Sequence, residues 1–116
     1  MARASRGEIK IEDILKMNDL NFETEYIFPD LVSSSGRPLR FDFAVFDDAG
    51  EVDFVIEYQG EQHYTAVKHF GGAKGLRRQK FNDNQKRVYC AKKDIPLVAI
   101  PYWEEQNITL DMILPY

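Results

Sequence analysis

At 116 residues, 44% apolar and 13% aromatic, the chain is long enough for one hydrophobic core and short for two, so a single domain over residues 1–116 is expected. No apolar run approaches the roughly 18 residues of a transmembrane helix, and one cysteine with two scattered histidines excludes an internal disulfide and a zinc-finger-type site. The net charge of −4 is unevenly spread: residues 68–93 carry nine Lys or Arg against one acid, Asp83, a balance of +8 that leaves the rest at −12.

The N-terminus lacks the apolar core of a signal peptide, and with a single cysteine it predicts a reducing, cytoplasmic setting. Residues 5–17 have helical spacing, with Ile11, Ile14 and Leu15 as the buried stripe. Ser5 and Glu8 form a capping box, which explains Glu8 structurally and is compatible with a site beside that first turn. Residues 21–28 alternate and predict a strand with Phe22, Thr24, Tyr26 and Phe28 inward, ended by Pro29. Ser33-Ser34-Ser35-Gly36 reads as a flexible loop.

The central stretch, residues 37–63, reads as two strands around the turn Asp47-Asp48-Ala49-Gly50. In the first strand Leu39, Phe41, Phe43 and Val45 fall on one face, and Arg40, Asp42, Ala44 and Phe46 on the other. In the second, Val52, Phe54, Ile56 and Tyr58 oppose Val55, Glu57 and Gln59. Both faces carry apolar residues, so helices are expected on both. Gly71, Gly72 and Gly75 predict a mobile basic loop, followed by a long helix over about 76–93 with Leu76, Phe81, Val88, Tyr89 and Ala91 as its apolar positions. Residues 97–102 predict a buried strand parallel to an earlier one, and 104–112 a short terminal helix. The order is α-β-β-β-α-β: an α/β fold with a small mixed four-stranded sheet flanked by helices.

Asp42 and Glu57 project from a largely apolar surface, and a desolvated carboxylate requires a cation, a basic side chain or a substrate group as partner. Counting outward from the turn centre puts Asp42 opposite Val55, with Glu57 on the diagonal, about 7–8 Å away root to root. Glu57 and Gln59 are about 6.6 Å apart on one strand face. The two carboxylates, with a backbone carbonyl such as that of Tyr58, suffice for Mg²⁺ or Mn²⁺, which keeps several waters. Asp83 and Lys86 are three apart on a helix and are expected to share a face as an ion pair.

An acid on one strand followed by Glu-x-polar on the next, in this element order, resembles the PD-(D/E)XK nuclease superfamily. Glu57-Tyr58-Gln59-Gly60-Glu61-Gln62-His63-Tyr64, then Asp83-x-x-Lys86 ahead of Tyr89-Cys90 and the apolar strand ending Ile100-Pro101-Tyr102, is similar to small phage-type nucleases. It also resembles the very-short-patch-repair and homing-endonuclease branch. The resemblance covers residues 5–102. It implies Asp42 and Glu57 as the paired acids, Glu8 as the first-helix acid, and Gln59 where lysine is usual. It further implies that Glu8, Asp42, His63 and Asp83 fill that branch's Glu-Asp-x-His-Asp set. Gln59 cannot carry the charge of a lysine. His63 is the substitute, as general base or as a phosphate-polarising group. Asp83 would orient His63 or bind a second cation, or simply pair with Lys86. His69 suggests only exposure or a phosphate contact, and Tyr64 and Trp103 suggest core or rim.

On this resemblance Lys74, Arg77, Arg78, Lys80, Lys86 and Arg87 would hold the phosphates of double-stranded DNA. A homodimer, or a fused DNA-binding domain in a longer parent protein, would add affinity. The expected activity is a metal-dependent DNA endonuclease acting in the cytoplasm, that of the host if phage-encoded. The alternatives are a nuclease-fold module that binds DNA or a partner protein without cutting, and a small structural domain with solvated carboxylates. Neutral replacement of Asp42 or Glu57 is expected to stabilise the metal-free protein, because like charges repel.

Overall fold

The computed structural model describes residues 5–116. Ser5 caps α1 (Arg6–Met17): its hydroxyl accepts the Glu8 N–H at 3.2 Å and donates to the Glu8 carboxylate at 3.0 Å. Four strands follow in sheet order, β1 (Asn21–Val32), β2 (Pro38–Phe46), β3 (Val52–Gln59) and β4 (Leu97–Pro101). The first two pairings are antiparallel and β3 with β4 is parallel, so the fold is the expected mixed four-stranded α/β sheet. A parallel neighbour requires a crossover, and α2 (Gly72–Lys92) provides it. A 3-10 stretch, Tyr102–Asn107, and the one-turn helix α3 (Leu110–Ile113) close the chain.

The sheet is buried on both faces. On one side Ile11 and Leu15 of α1 and Ile113 of α3 pack on Phe43, Val45, Phe54, Ile56 and Ile100. On the other, Cys90 of α2 packs with Phe28, Leu31, Leu39, Phe41, Ala44 and Val55. Tyr58 reaches α1 across Gly7, where an added Cβ would lie 2.1 Å from the ring, so only glycine fits.

Four local expectations are corrected. β1 continues through Pro29 to Val32, because an edge strand tolerates a residue without an N–H. Leu39 and Phe41 join the core on the α2 side, whereas Phe43 and Val45 join the opposite one, so β2 changes face at Asp42. Glu25 on β1, also in the left-handed region (φ 50°), lies between the Thr24–Phe43 and Tyr26–Phe41 pairs. A register shift near the turn likewise puts Val52 with the α2-side core. Finally, α2 begins at Gly72 and contains Gly75, because the Phe70 carbonyl lies 1.7 Å from where a Cβ would be.

The inward stripe of α2 is also unlike the expected one. Phe81 (49% exposed) and Val88 (38%) face outward, and its buried residues are Lys86 and Cys90. The helix covers a polar site, so its inner positions are polar.

Candidate active site between the sheet and the long helix

Pairing of β2 with β3 runs from Val52 to Ile56 and stops at Phe43. Ala44 lies opposite Val55, so the expected Asp42–Val55 register is corrected by two residues. Beyond Phe43 the Asp42 side chain takes over from the backbone ladder: the Tyr58 N–H donates to Asp42 Oδ2 at 2.7 Å. The strands separate here, and in extended chain the Tyr58 carbonyl leaves on the same edge as its N–H, toward the opening.

Glu57 is 5% exposed, on the α2 side of β3. Lys86, itself only 8% exposed, descends from α2 and donates its Nζ to Glu57 Oε1, with the ammonium 5.4 Å from the Phe41 ring centroid. Lys86 is therefore no surface phosphate contact, and its ion pair is with Glu57 rather than Asp83. Burial pushes the Glu57 carboxyl up to about 8; Lys86 opposes this and the Asp42 charge adds to it. Burial also raises Asp42, against the Tyr58 N–H and with the help of the Glu8 charge. Asp42 lies within electrostatic reach of Glu57. Glu8, from the first turn of α1, lies within electrostatic reach of Asp42.

A second cluster lies alongside. His63, at the end of the 3-10 turn Glu61–His63, has its Nδ1 2.8 Å from Asp83 Oδ2. An ionised carboxylate only accepts, so Nδ1 carries the hydrogen and Nε2 is the free atom. Gln79 Nε2 donates to the other Asp83 oxygen at 3.0 Å. Gln59 accepts the Tyr64 hydroxyl at 2.6 Å, which turns its oxygen toward the aromatic group Tyr64, Tyr102 and Trp103. The remaining bases, Lys74, Arg77, Arg78, Lys80 and Arg87, are exposed. At 100° per residue they do not form one stripe: Lys80 and Arg87 lie roughly 180–200° around α2 from Arg78. His69 is exposed, as is Trp103, at the rim of its aromatic group.

Two converging carboxylates, Glu57 buried and Asp42 half-buried, each raised chiefly by burial, fit a hard divalent cation, with the Tyr58 carbonyl on the same edge. Among the described residues no group of three His, Cys, Asp or Glu side chains is placed to hold a metal, so such an ion would complete its shell with water or phosphate oxygens.

The chain is similar to two viral proteins. It is 49% identical over 50 residues to "Uncharacterized protein 094L" of Frog virus 3 (isolate Goorha), covering 41% of this chain and 32% of that protein. It is 30% identical over 70 residues to "Uncharacterized protein 307L" of Invertebrate iridescent virus 6, covering 60% of this chain and 36% of that protein. The chain thus spans about a third of each relative's length. No family model matches it, and no solved structure does. Among the described residues no helix is long and apolar enough to cross a membrane.

The inward role of Lys86 is not visible from apolar periodicity. The signal was present: a lysine four residues before Cys90 and seven after Gln79 lies on the inward side of the helix.

Proposed function

We propose that the chain is a divalent-metal-dependent DNA endonuclease that hydrolyses phosphodiester bonds and is similar to the phage-type and homing nucleases. One observation carries the proposal. Lys86 brings a buried ammonium to the Asp42–Glu57 pair, the charge that Gln59 on β3 lacks. Two acids and one lysine thus meet in space, although the lysine comes from the helix.

When bound between Asp42 and Glu57, Mg²⁺ or Mn²⁺ would polarise the scissile phosphate and help deprotonate a water. The chain's own groups supply the rest. The Tyr58 N–H fixes Asp42, and Lys86 favours the charged form of Glu57 against its burial and would offset negative charge building on the phosphate. His63, held in one tautomer by Asp83, has Nε2 free to accept or deliver a proton. Glu8 adds negative charge beside Asp42 and favours a cation there. The exposed bases of α2 contact double-stranded DNA, with Lys74 and Arg78 on one flank and Lys80 and Arg87 on the other. The greater length of the viral relatives supports a fused segment that contributes further DNA affinity; self-association would do the same. A viral endonuclease of this kind would act in the host-cell cytoplasm.

The test is nicking of supercoiled plasmid in Mg²⁺ or Mn²⁺, beside EDTA and Glu57→Gln. Metal-dependent nicking that is lost in the variant supports the proposal. Nicking that is undiminished in both Glu57→Gln and Asp42→Asn refutes the site.

A second reading, a nuclease-fold module that binds DNA without cutting, is favoured by the closed Lys86–Glu57 pair, which satisfies Glu57 without a metal. It predicts salt-sensitive DNA binding and no cleavage with any divalent ion.

A further inference from the structure

Two adjoining concavities flank α2 on the side away from Lys80 and Arg87. The first, of about 530 Å³, is walled by Gln62, Phe70, Arg78, Gln79 and Asn82, with Gly71 and Gly75 at its back. The second, of about 500 Å³, lies between the Ser33–Ser35 loop, Arg37 and α2. Arg78 and Asn82 line both.

Their chemistries differ. The first has three carboxamides, one guanidinium and an aromatic ring that is 57% exposed, and no acid. Carboxamides pair with the N6 and N7 edge of adenine, guanidinium with O6 and N7 of guanine, and an exposed ring stacks on a base. Gln79 Nε2 is held by Asp83, so Gln79 presents its oxygen. Among the described residues the side chains of Gln62, Arg78 and Asn82 make no hydrogen bond within the protein, so their polar edges are free for a ligand. Gly75 lets the chain close behind Phe70: a Cβ there would lie 1.7 Å from the Phe70 carbonyl oxygen. The second concavity offers three hydroxyls and two guanidinium groups, again without an acid, which is phosphate-binding chemistry.

We propose that these concavities take one unpaired purine nucleotide of a DNA strand, its base against Phe70, Gln62 and Asn82 and its phosphate against Arg37, Arg78 and the serine hydroxyls. This rests on the nuclease reading and adds a substrate class to it: DNA with a base already out of the stack, where the unstacking cost is smallest. The placement also links recognition to chemistry. Gln62 adjoins His63 in sequence and Gln79 holds Asp83, so a filled base pocket sits against the His63–Asp83 pair.

The experiment measures Kd by fluorescence anisotropy, in EDTA, for three duplexes: fully paired, with one bulged adenine, and with an abasic bulge at the same position. The wild type is expected to prefer the adenine bulge over the abasic one by about tenfold, the size of one stacking or bidentate contact. Asn82→Leu, Gln62→Leu and Phe70→Ala should bring that ratio toward one; Arg37→Gln should weaken both bulged duplexes and keep the ratio. Thermal midpoints identify any variant that fails to fold, and Asn82→Leu and Gln62→Leu, both partly exposed, stand in for Phe70→Ala. Equal binding of the two bulges, or a ratio kept by these variants, overturns the pocket. Plasmid nicking separates the two levels: nicking without a bulge preference removes this inference alone, whereas neither nicking nor binding of any duplex removes the nuclease reading with it.

Discussion

Lys86→Met tests the buried pair at the centre of the site. Lys86 and Glu57 are 8% and 5% exposed, so removing the ammonium leaves a carboxylate in an apolar pocket beside Asp42. Where the group left behind stays charged, breaking one side of such a pair costs about 3–5 kcal/mol, a large part of the roughly 5–15 kcal/mol holding a domain of this size. The loss depends on pH, because Glu57 has an escape route. Its carboxyl is already raised from 4.5 to about 8, chiefly by burial, and Lys86 is the group opposing that rise. A raised carboxyl adds stability below its unfolded value and loses it as pH climbs through the folded value. Below about pH 8 wild type and variant both hold this proton and their difference is constant; without Lys86 the folded value rises further, so the penalty grows above pH 8, by up to ~1.4 kcal/mol per pH unit. Urea unfolding in EDTA at pH 6.5, 8 and 9.5 measures this. The double variant Glu57→Gln/Lys86→Met removes both charges and should recover most of the loss, with a coupling energy above about 2 kcal/mol. A cost for Lys86→Met under about 1 kcal/mol at pH 9.5, or one that is flat across these pH values, would refute the reasoning. For Glu57→Gln alone the stabilisation expected from carboxylate repulsion reverses, because Lys86 is then stranded.

Asp42→Asn should behave differently: the amide oxygen still accepts the Tyr58 N–H and a charge beside Glu57 disappears, so metal-free stability in EDTA should hold or rise while nicking is lost. Mg²⁺ should raise the wild-type melting temperature, by the equivalent of about 2.7 kcal/mol at a hundredfold excess over Kd, and should do little for Asp42→Asn. Asp83→Ala should lower kcat by about 10²-fold or more at similar KM, and should add nothing to His63→Ala, since both act through one pair. Gly7→Ala should cost about 1–3 kcal/mol by thermal unfolding, because the Tyr58 ring lies 2.1 Å from the added carbon; an unchanged midpoint would show that α1 is free to shift.

The legible parts of this chain are those where local pattern and tertiary role agree. The hairpin, its Gly50 turn with φ 82°, the capped first helix and the parallel fourth strand all follow from alternation, turn chemistry and helical spacing. Two of the departures from sequence expectation belong to the site. Strict alternation puts Phe41 and Phe43 on one face, but the chain switches face at Asp42 so that its carboxylate can replace a backbone partner of Tyr58. Hydrophobic periodicity puts Phe81 and Val88 inside, but α2 turns Lys86 and Gln79 inward.

These failures share a physical cause. Periodicity rules assume that a buried face is apolar, because desolvating a polar group without a partner costs free energy. The assumption lapses where two polar stripes satisfy each other. Glu57 finds Lys86, and His63 finds Asp83, across an interface that neither element displays alone. The long helix therefore looks weakly amphipathic in sequence although it is firmly placed: its hydrophobic contact is confined to its C-terminal part, near Cys90 and Tyr89, and its middle is held by charge. Such a helix has a conditional hold on the sheet. On the proposed function, anything that competes for Glu57, a divalent cation above all, would free the Lys86 ammonium to meet an incoming phosphate, with the C-terminal packing as the anchor. The buried pair is then the resting form of the site, which explains how one lysine can serve both the fold and the chemistry proposed here.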